Sequence, residues 1–325
     1  HVVITYRPGD AEQAVIAETL RPMSRISFLP EVPASQHRAV LKDADVLLGM
    51  SLSTREIDPG LIPAMEKLRL IQLVFSGADR IDFTRVPENV VIACNPGAFA
   101  QPIAEHVLAM TLALAKKLLP NHQRLARGEF AQDSLNKAIT NRVCGILGLG
   151  GNGLAVARIM AALGMQVYGI NRSGISPEPM DFLGTMDDLP LLLRESDVLV
   201  LTLPLNRQTS GLIGAREMEQ MKPEAILVNV GRGDLIVQED LFRHLQRHPD
   251  FGAGIDTWWV EPGTHGVFRL DHPFFELSNV IGSPHNADDV PGAMTAATQQ
   301  AADNVRKYLL GRDIRGRVER RDYQC

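Results

Sequence analysis

The chain is 325 residues long, 45% apolar and 22% charged, which suits two cored domains at roughly 150 residues each and excludes a disordered or fibrous protein. Its 33 basic residues are outnumbered by 38 acidic ones, for a net charge of −5, so a bulk basic footprint for nucleic acid is absent. The cysteines, Cys94, Cys144 and Cys325, are too sparse and odd in number for a disulfide framework; they fit a reducing cytosol, so a cytoplasmic protein is expected.

An apolar run at residues 2–6 predicts a buried strand, closed by the turn pair Pro8-Gly9. Further strands are predicted at 46–49, 70–75 and 90–93, with helices at 11–20, 35–42 and 62–67 between them. Near-continuous apolar strands separated by helices imply a parallel sheet covered on both faces. A long Ala-, Leu- and Lys-rich helix is predicted from Gln101 to about Leu119, stopping at Pro120, and a polar piece without strand signal follows at 121–142. A second alternating series begins at Val143, with strands at 143–147, 166–170, 198–202, 225–229, 252–255 and 279–282. Two such series predict an α/β protein of two Rossmann-like domains with parallel sheets flanked by helices. The last helix, 292–310, follows the second sheet and is free to pack back on the first domain. No apolar run nears the roughly 18–20 residues of a membrane span. The opening residues lack a basic stretch followed by an apolar core, so neither a signal peptide nor a membrane partner is expected.

The segment VCGILGLGGNG, at 143–153, runs a buried strand directly into Gly148, Gly150, Gly151, Asn152 and Gly153, and a helical pattern follows. This is G-x-G-x-x-G in the strand–turn–helix setting of a dinucleotide site. Gly148 permits the tight turn, Gly150 close approach of a pyrophosphate, and Gly153 close packing of helix on strand. The competing account is a structural glycine turn. An NAD site carries Asp or Glu at the end of the next strand, on the ribose 2′-hydroxyl. Here Asn171 takes that place, and Arg172 and Ser173 offer a charge and a hydroxyl to a 2′-phosphate. NADP(H) is therefore the expected cofactor and NAD(H) the alternative.

Three later stretches complete the pattern. Residues 229–237, NVGRGDLIV, resemble the N-x-x-R-G-x-x-V stretch of D-isomer-specific 2-hydroxyacid dehydrogenases. Residues 254–262, GIDTWWVEP, resemble their G-x-D-V-x-x-x-E-P stretch, and 283–286, SPHN, their T-P-H stretch. The likeness spans essentially the whole chain and points to the glyoxylate/hydroxypyruvate reductase-like members. Reduction of a 2-oxo acid needs a hydride, a proton for the carbonyl oxygen, and a cation for the carboxylate. Arg232 offers a planar fork. His285 can donate the proton, since an unperturbed imidazole has a pKa of about 6.5, and Glu261 can hold the imidazole and favour its protonated form. The resemblance implies these three as catalytic residues, Arg232 and His285 also as substrate ligands, and Asp256 near the nicotinamide.

It further implies a flavodoxin-like substrate domain (1–100 and 289–325) around a dinucleotide-binding domain (101–288), with a hinged cleft near 99–101 and 286–289. Ser76, Gly77 and Ala78 resemble the loop that binds the substrate carboxylate. Ile103, Thr202, Pro204, Val230 and Gly231 join the cofactor set. A homodimer through the cofactor domain is implied, with 121–142 as its arm. No metal site is expected, since His265 and His272 lack ligand spacing and the remaining histidines, His106 among them, read as surface or core groups. For Trp258 and Trp259, walling the site and packing under the loop stand as equal readings. The rivals are a formate or phosphite dehydrogenase-like relative, whose formate branch pairs its His with Gln rather than Glu, and an NAD(P)-sensing corepressor.

Overall fold

Mostly apolar runs become the strands of two parallel sheets in the computed structural model, which describes residues 1–132 and 135–323. Cys325 and residues 133–134 of the expected arm lie outside the described residues. The chain divides into two units, one of His1–Phe99 with Asp289–Cys325 and one of Ala100–Asp288.

In the first unit, β1 (Val2–Ile4), β2 (Ile26–Phe28), β3 (Val46–Gly49), β4 (Leu70–Leu73) and β5 (Val91–Ala93) line up in the order β2-β1-β3-β4-β5. That is the flavodoxin-like order of a doubly wound sheet. Every residue of β1, β3 and β4 is buried, as expected of strands covered on both faces. The sequence pattern misses β2, an edge strand of three half-buried residues with Ser27 at its centre. The predicted helix at 62–67 is instead a 3₁₀ segment, Pro59–Ala64, because Pro59 and Pro63 each lack an amide donor. Helix Ala293–Leu309 packs on helix Asp10–Leu20 within this unit. Buried polar groups lock it to the sheet: Asn95 Nδ2 donates to Val74 O and Ala297 O, and Asn304 Nδ2 to Gln72 Oε1.

In the second unit, β6 (Val143–Leu147), β7 (Gln166–Ile170), β8 (Phe182–Gly184), β9 (Val198–Leu201), β10 (Ile226–Asn229), β11 (Gly252–Ile255) and β12 (Val280–Gly282) adopt the order β12-β11-β10-β9-β6-β7-β8. This is the Rossmann order with one added strand. The edge strand β8 is again one the pattern misses. Helices Ala100–Ala115 and Gly151–Ala162 pack together beside this sheet. The helix predicted to run to Leu119 ends at Ala115; Lys117 takes a left-handed backbone (φ 49°) and a second helix, Leu118–Ala126, begins. Pro120 therefore sits in a first turn, where no amide donor is required, and does not stop the helix. Cys144, on β6, is fully buried, and burial pushes its thiol up to about 12, out of nucleophilic range. Among the described residues no helix is long and apolar enough to cross a membrane.

Candidate active site

β6 and β9 are neighbours whose chains leave in opposite directions, toward β7 and toward β10. Such a switch point opens a crevice at the strand C-termini. Gly148 turns there with φ +106°, and Thr202 Oγ1, from the loop after β9, donates to its carbonyl at 2.6 Å. A Cβ on Gly153 would collide with that same carbonyl, whereas a Cβ on Gly150 would meet no atom within 4 Å. Gly150 thus borders open space. It is also the N-cap of helix Gly151–Ala162 and has no side chain to cap it. The first-turn amides and the positive end of the helix dipole are left for an anion. These features fit a pyrophosphate.

At the end of β7, Asn171 folds its own loop. Its Oδ1 accepts from Ser173 N (3.0 Å), Ser173 Oγ (3.2 Å) and Gly174 N (2.7 Å), and its Nδ2 donates to Ile175 O (2.7 Å). Arg172 and Ser173 stand exposed on this pinned turn. Asn171 therefore shapes the loop in addition to removing an anion from it.

Strands β10, β11 and β12 are adjacent and parallel, so the three motif loops leave the same end of the sheet. After β10, Asn229 bridges its loop: Gly231 N donates to Oδ1 (3.0 Å) and Nδ2 donates to Arg232 O (2.8 Å). Arg232 is half-buried and donates through Nη1 to Gly231 O (2.8 Å). After β12, His285 has a left-handed backbone, φ 53°, rare for a residue with a side chain. Its Nδ1 lies 2.8 and 3.0 Å from the two oxygens of Glu261, from the loop after β11. An ionised carboxylate only accepts, so Nδ1 carries a proton, and Nε2 remains to give or take another. Burial alone would raise the Glu261 carboxyl. The hydrogen bond and charge of His285, the Trp258 amide and the charge of Arg232 outweigh it, holding Glu261 below the usual carboxylate range.

Asp256, wholly buried, binds the His285 loop. Its Oδ1 accepts from Ser283 Oγ (2.6 Å) and Asn286 N (3.1 Å), and its Oδ2 from Ala287 N (3.4 Å). His106 Nε2 lies 2.8 Å from Ser283 Oγ. Since the serine proton goes to Asp256, His106 must donate through Nε2–H. Sequence reasoning gave His106 no role and quoted Ser283 only as part of a motif. The chain separation of 177 residues leaves no local signal for that contact. The neighbouring Thr257 hydroxyl is buried with no hydrogen-bond partner among the described residues.

Of the remaining predicted residues, Thr202 and Pro204 follow β9, Val230 and Gly231 follow β10, and Ile103 lies half-buried on helix Ala100–Ala115. In the first unit, Ser76 is exposed, Gly77 half-buried and Ala78 buried, in the loop after β4. The second unit brings together Arg232, Glu261, His285 and Asp256.

A doubly wound sheet with an anion-binding glycine turn and a paired His and Glu defines an NAD(P)-dependent oxidoreductase. Residues 108–287 match the family described as D-isomer specific 2-hydroxyacid dehydrogenase, NAD binding domain. The chain is 31% identical over 292 residues to glyoxylate/hydroxypyruvate reductase B of Pectobacterium carotovorum subsp. carotovorum, covering 88% of each. It is also 31% identical to D-3-phosphoglycerate dehydrogenase of Methanocaldococcus jannaschii, over 83% of this chain but only 51% of that one. A solved structure from Pyrobaculum aerophilum, provisionally assigned as a formate dehydrogenase, superposes with TM-score 0.83 at 29% identity, over 99% of each chain. The chain belongs to the D-isomer-specific 2-hydroxyacid dehydrogenase family, whose members are NAD(P)-dependent dehydrogenases acting on CH–OH groups.

Proposed function

We propose that the protein is an NADP(H)-preferring reductase of small 2-oxo acids, or works in the reverse direction as a D-2-hydroxyacid dehydrogenase. The observation that carries this is the His285–Glu261 pair, which holds a proton at Nδ1 and leaves Nε2 for a substrate oxygen. Arg232 binds the carboxylate and carbonyl oxygens through its fork and stabilises the charge that develops as the carbonyl is reduced. His285 donates its Nε2 proton to that oxygen and is reprotonated from water; Glu261 keeps the ring oriented and favours its charged form. Ser283 and the backbone amides at 286–287, gathered on Asp256, hold the His285 loop.

Gly148, Gly150, Gly151, Asn152 and Gly153 would hold the cofactor's pyrophosphate, and Arg172 with Ser173 its 2′-phosphate. Thr202, Pro204, Val230, Gly231, Asp256 and Ile103 are the other cofactor residues we assign. When bound, the nicotinamide supplies the hydride. Ser76, Gly77 and Ala78 are assigned to the substrate on the resemblance of their loop. The unit Ala100–Asp288 is the cofactor domain on this account, and the other the substrate domain. We further assign a homodimer through the cofactor domain, and a cytoplasmic setting supported by the sparse cysteines.

Steady-state kinetics on glyoxylate, hydroxypyruvate and pyruvate with both cofactors test this. One exposed charge-assisted contact of about 1.5–3 kcal/mol corresponds to roughly 10- to 150-fold in affinity. NADPH should lead NADH in kcat/KM by about that factor, mainly through KM. Equal values or a lead for NADH would remove the NADP preference. No turnover of any 2-oxo acid would remove the reductase.

A further inference from the structure

Trp258 and Trp259 are the chain's only tryptophans, and they sit side by side between Asp256 and Glu261. Each indole N–H is used, and in opposite directions. Trp258 Nε1 donates to Ser283 O at 2.8 Å, two residues before His285. Its backbone amide donates to Glu261 Oε1 at 2.7 Å. Trp259 Nε1 donates to Ile236 O at 2.7 Å, four residues after Arg232. The dipeptide is also wedged between the two outer loops. A Cβ on Gly233, next to Arg232, would come within 2.6 Å of Trp258 O and Trp259 N. A Cβ on Gly282 would come within 2.6 Å of Trp258 Cζ2. Two glycines let the loops close down on the tryptophans, and two indole bonds fix how far along each loop the contact falls.

The rings have their own anchors. Trp259 stacks on Phe274, with centroids 5.5 Å apart and planes at 14°. Trp258 leans on Phe275 at 5.4 Å and meets Phe268 edge-on at 5.7 Å. A phenylalanine removes the N–H together with part of the indole's packing, so the tether is read from which kinetic quantity and which loop respond. The left-handed backbone at His285 also requires support from both sides. Asp256 grips the amides after it, and Trp258 grips the carbonyl before it.

We propose that Trp258 and Trp259 are positioning residues, whose indole N–H groups set His285 and Arg232 at fixed places relative to Glu261. The assignment rests on the catalytic roles proposed above. It predicts a split between the two residues, because one tether serves the proton donor and the other the carboxylate clamp.

The test is Trp258→Phe and Trp259→Phe in the full chain, with kinetics, pH profiles and amide hydrogen exchange. One neutral hydrogen bond corresponds to roughly 3- to 10-fold. Trp258→Phe should lower kcat by about that factor and move the pH profile, with KM for NADPH unchanged. Trp259→Phe should raise KM for the oxo acid by a similar factor, lower kcat less than Trp258→Phe does, and leave the pH profile in place. Exchange should quicken several-fold at residues 283–287 in the first variant and 233–237 in the second, with the rest of the chain unchanged. If Trp258→Phe folds poorly, Trp258→Met, which fills space without a donor, replaces it with the same expectation. Unchanged kinetics and unchanged exchange would overturn the proposal and leave the tryptophans as packing. Local exchange changes in a protein that reduces no 2-oxo acid would sustain the tethers and remove the catalytic reading. Loss of activity in His285→Ala beside a wild-type-like Trp258→Phe would do the reverse.

Discussion

His285 combines a costly backbone with a cheap side-chain geometry. A left-handed non-glycine residue costs of order 1–3 kcal/mol, which the loop contacts to Asp256 and Trp258 offset. In return its ring meets Glu261 squarely through Nδ1. His285→Ala should lower turnover by about 10²- to 10⁴-fold while cofactor binding, read by fluorescence titration, persists. Glu261→Gln removes the anion that favours the imidazolium. The acid form is then lost at lower pH, so the descending limb of the reduction profile should move to lower pH; a profile that stays put would separate Glu261 from the proton donor. Arg232→Ala should raise KM for the oxo acid and lower kcat, and Arg232→Lys should recover little, because an ammonium has no bidentate fork. At Asn171, an aspartate would keep the acceptor that Ser173 and Gly174 use, lose the bond to Ile175 O, and return a charge that repels a 2′-phosphate. Asn171→Asp should therefore shift preference toward NADH with the loop largely intact.

The interior strands were legible because burial on both faces leaves mostly apolar residues, as in β3 and β6. The short edge strands were legible only in part: the Val-Ile pairs of β5 and β12 mark them, whereas Ser27 interrupts β2 and the apolar part of β8 is only Phe182-Leu183. Pro120 misled for a positional reason: proline is a stop signal inside a helix and harmless in a first turn. At the site, residues within motifs were readable and residues joined through space were not. His106 reaches Ser283 from another element, and nothing near it in sequence announces that. The same blindness covers His244, on helix Gln238–Arg247. It is buried, its Nε2 has no hydrogen-bond partner among the described residues, and its ring packs edge-on against Phe251. Burial first, then the charges of His248 and Arg247, push it down to about 4 from the ordinary 6.5. Between pH 6.5 and about 4 the unfolded chain takes up a proton at His244 that the folded chain refuses, so stability falls as pH falls through that window. His244→Phe keeps an aromatic ring and removes the titration. Its melting temperature should decline less steeply than the parent's from pH 6.5 to 4 and run parallel to it above pH 7, as followed by circular dichroism.

At the scale of the whole molecule, helix Leu118–Ala126 stands out as a helix with no buried face. It has nine residues and buries none of them. Helices this short are marginal in water without an apolar face packed on something. Yet Leu118 and Leu125, seven residues apart and so on one face, are each 56% exposed, and beyond them Phe130 is 80% and Leu135 89% exposed. Apolar side chains concentrated in one short stretch of surface mark an association site. A second copy meeting it across a two-fold axis would cover the stretch on both chains at once, as the proposed dimer through the cofactor domain requires. Full burial of a leucine is worth about 1.5–3 kcal/mol, and the axis counts each substitution twice. Each leucine has only about half its surface left to bury, so Leu118→Glu with Leu125→Glu should remove roughly 3–6 kcal/mol of association free energy, or about two to four decades in Kd. Light scattering after size-exclusion chromatography should give twice the 35.7 kDa chain mass for the parent and the single mass for the double variant at micromolar concentration. Circular dichroism of the variant should stay close to the parent's, because neither leucine is in the core of its own chain. A parent that elutes as a monomer, or a variant that remains dimeric, would show that this helix is not where two copies meet.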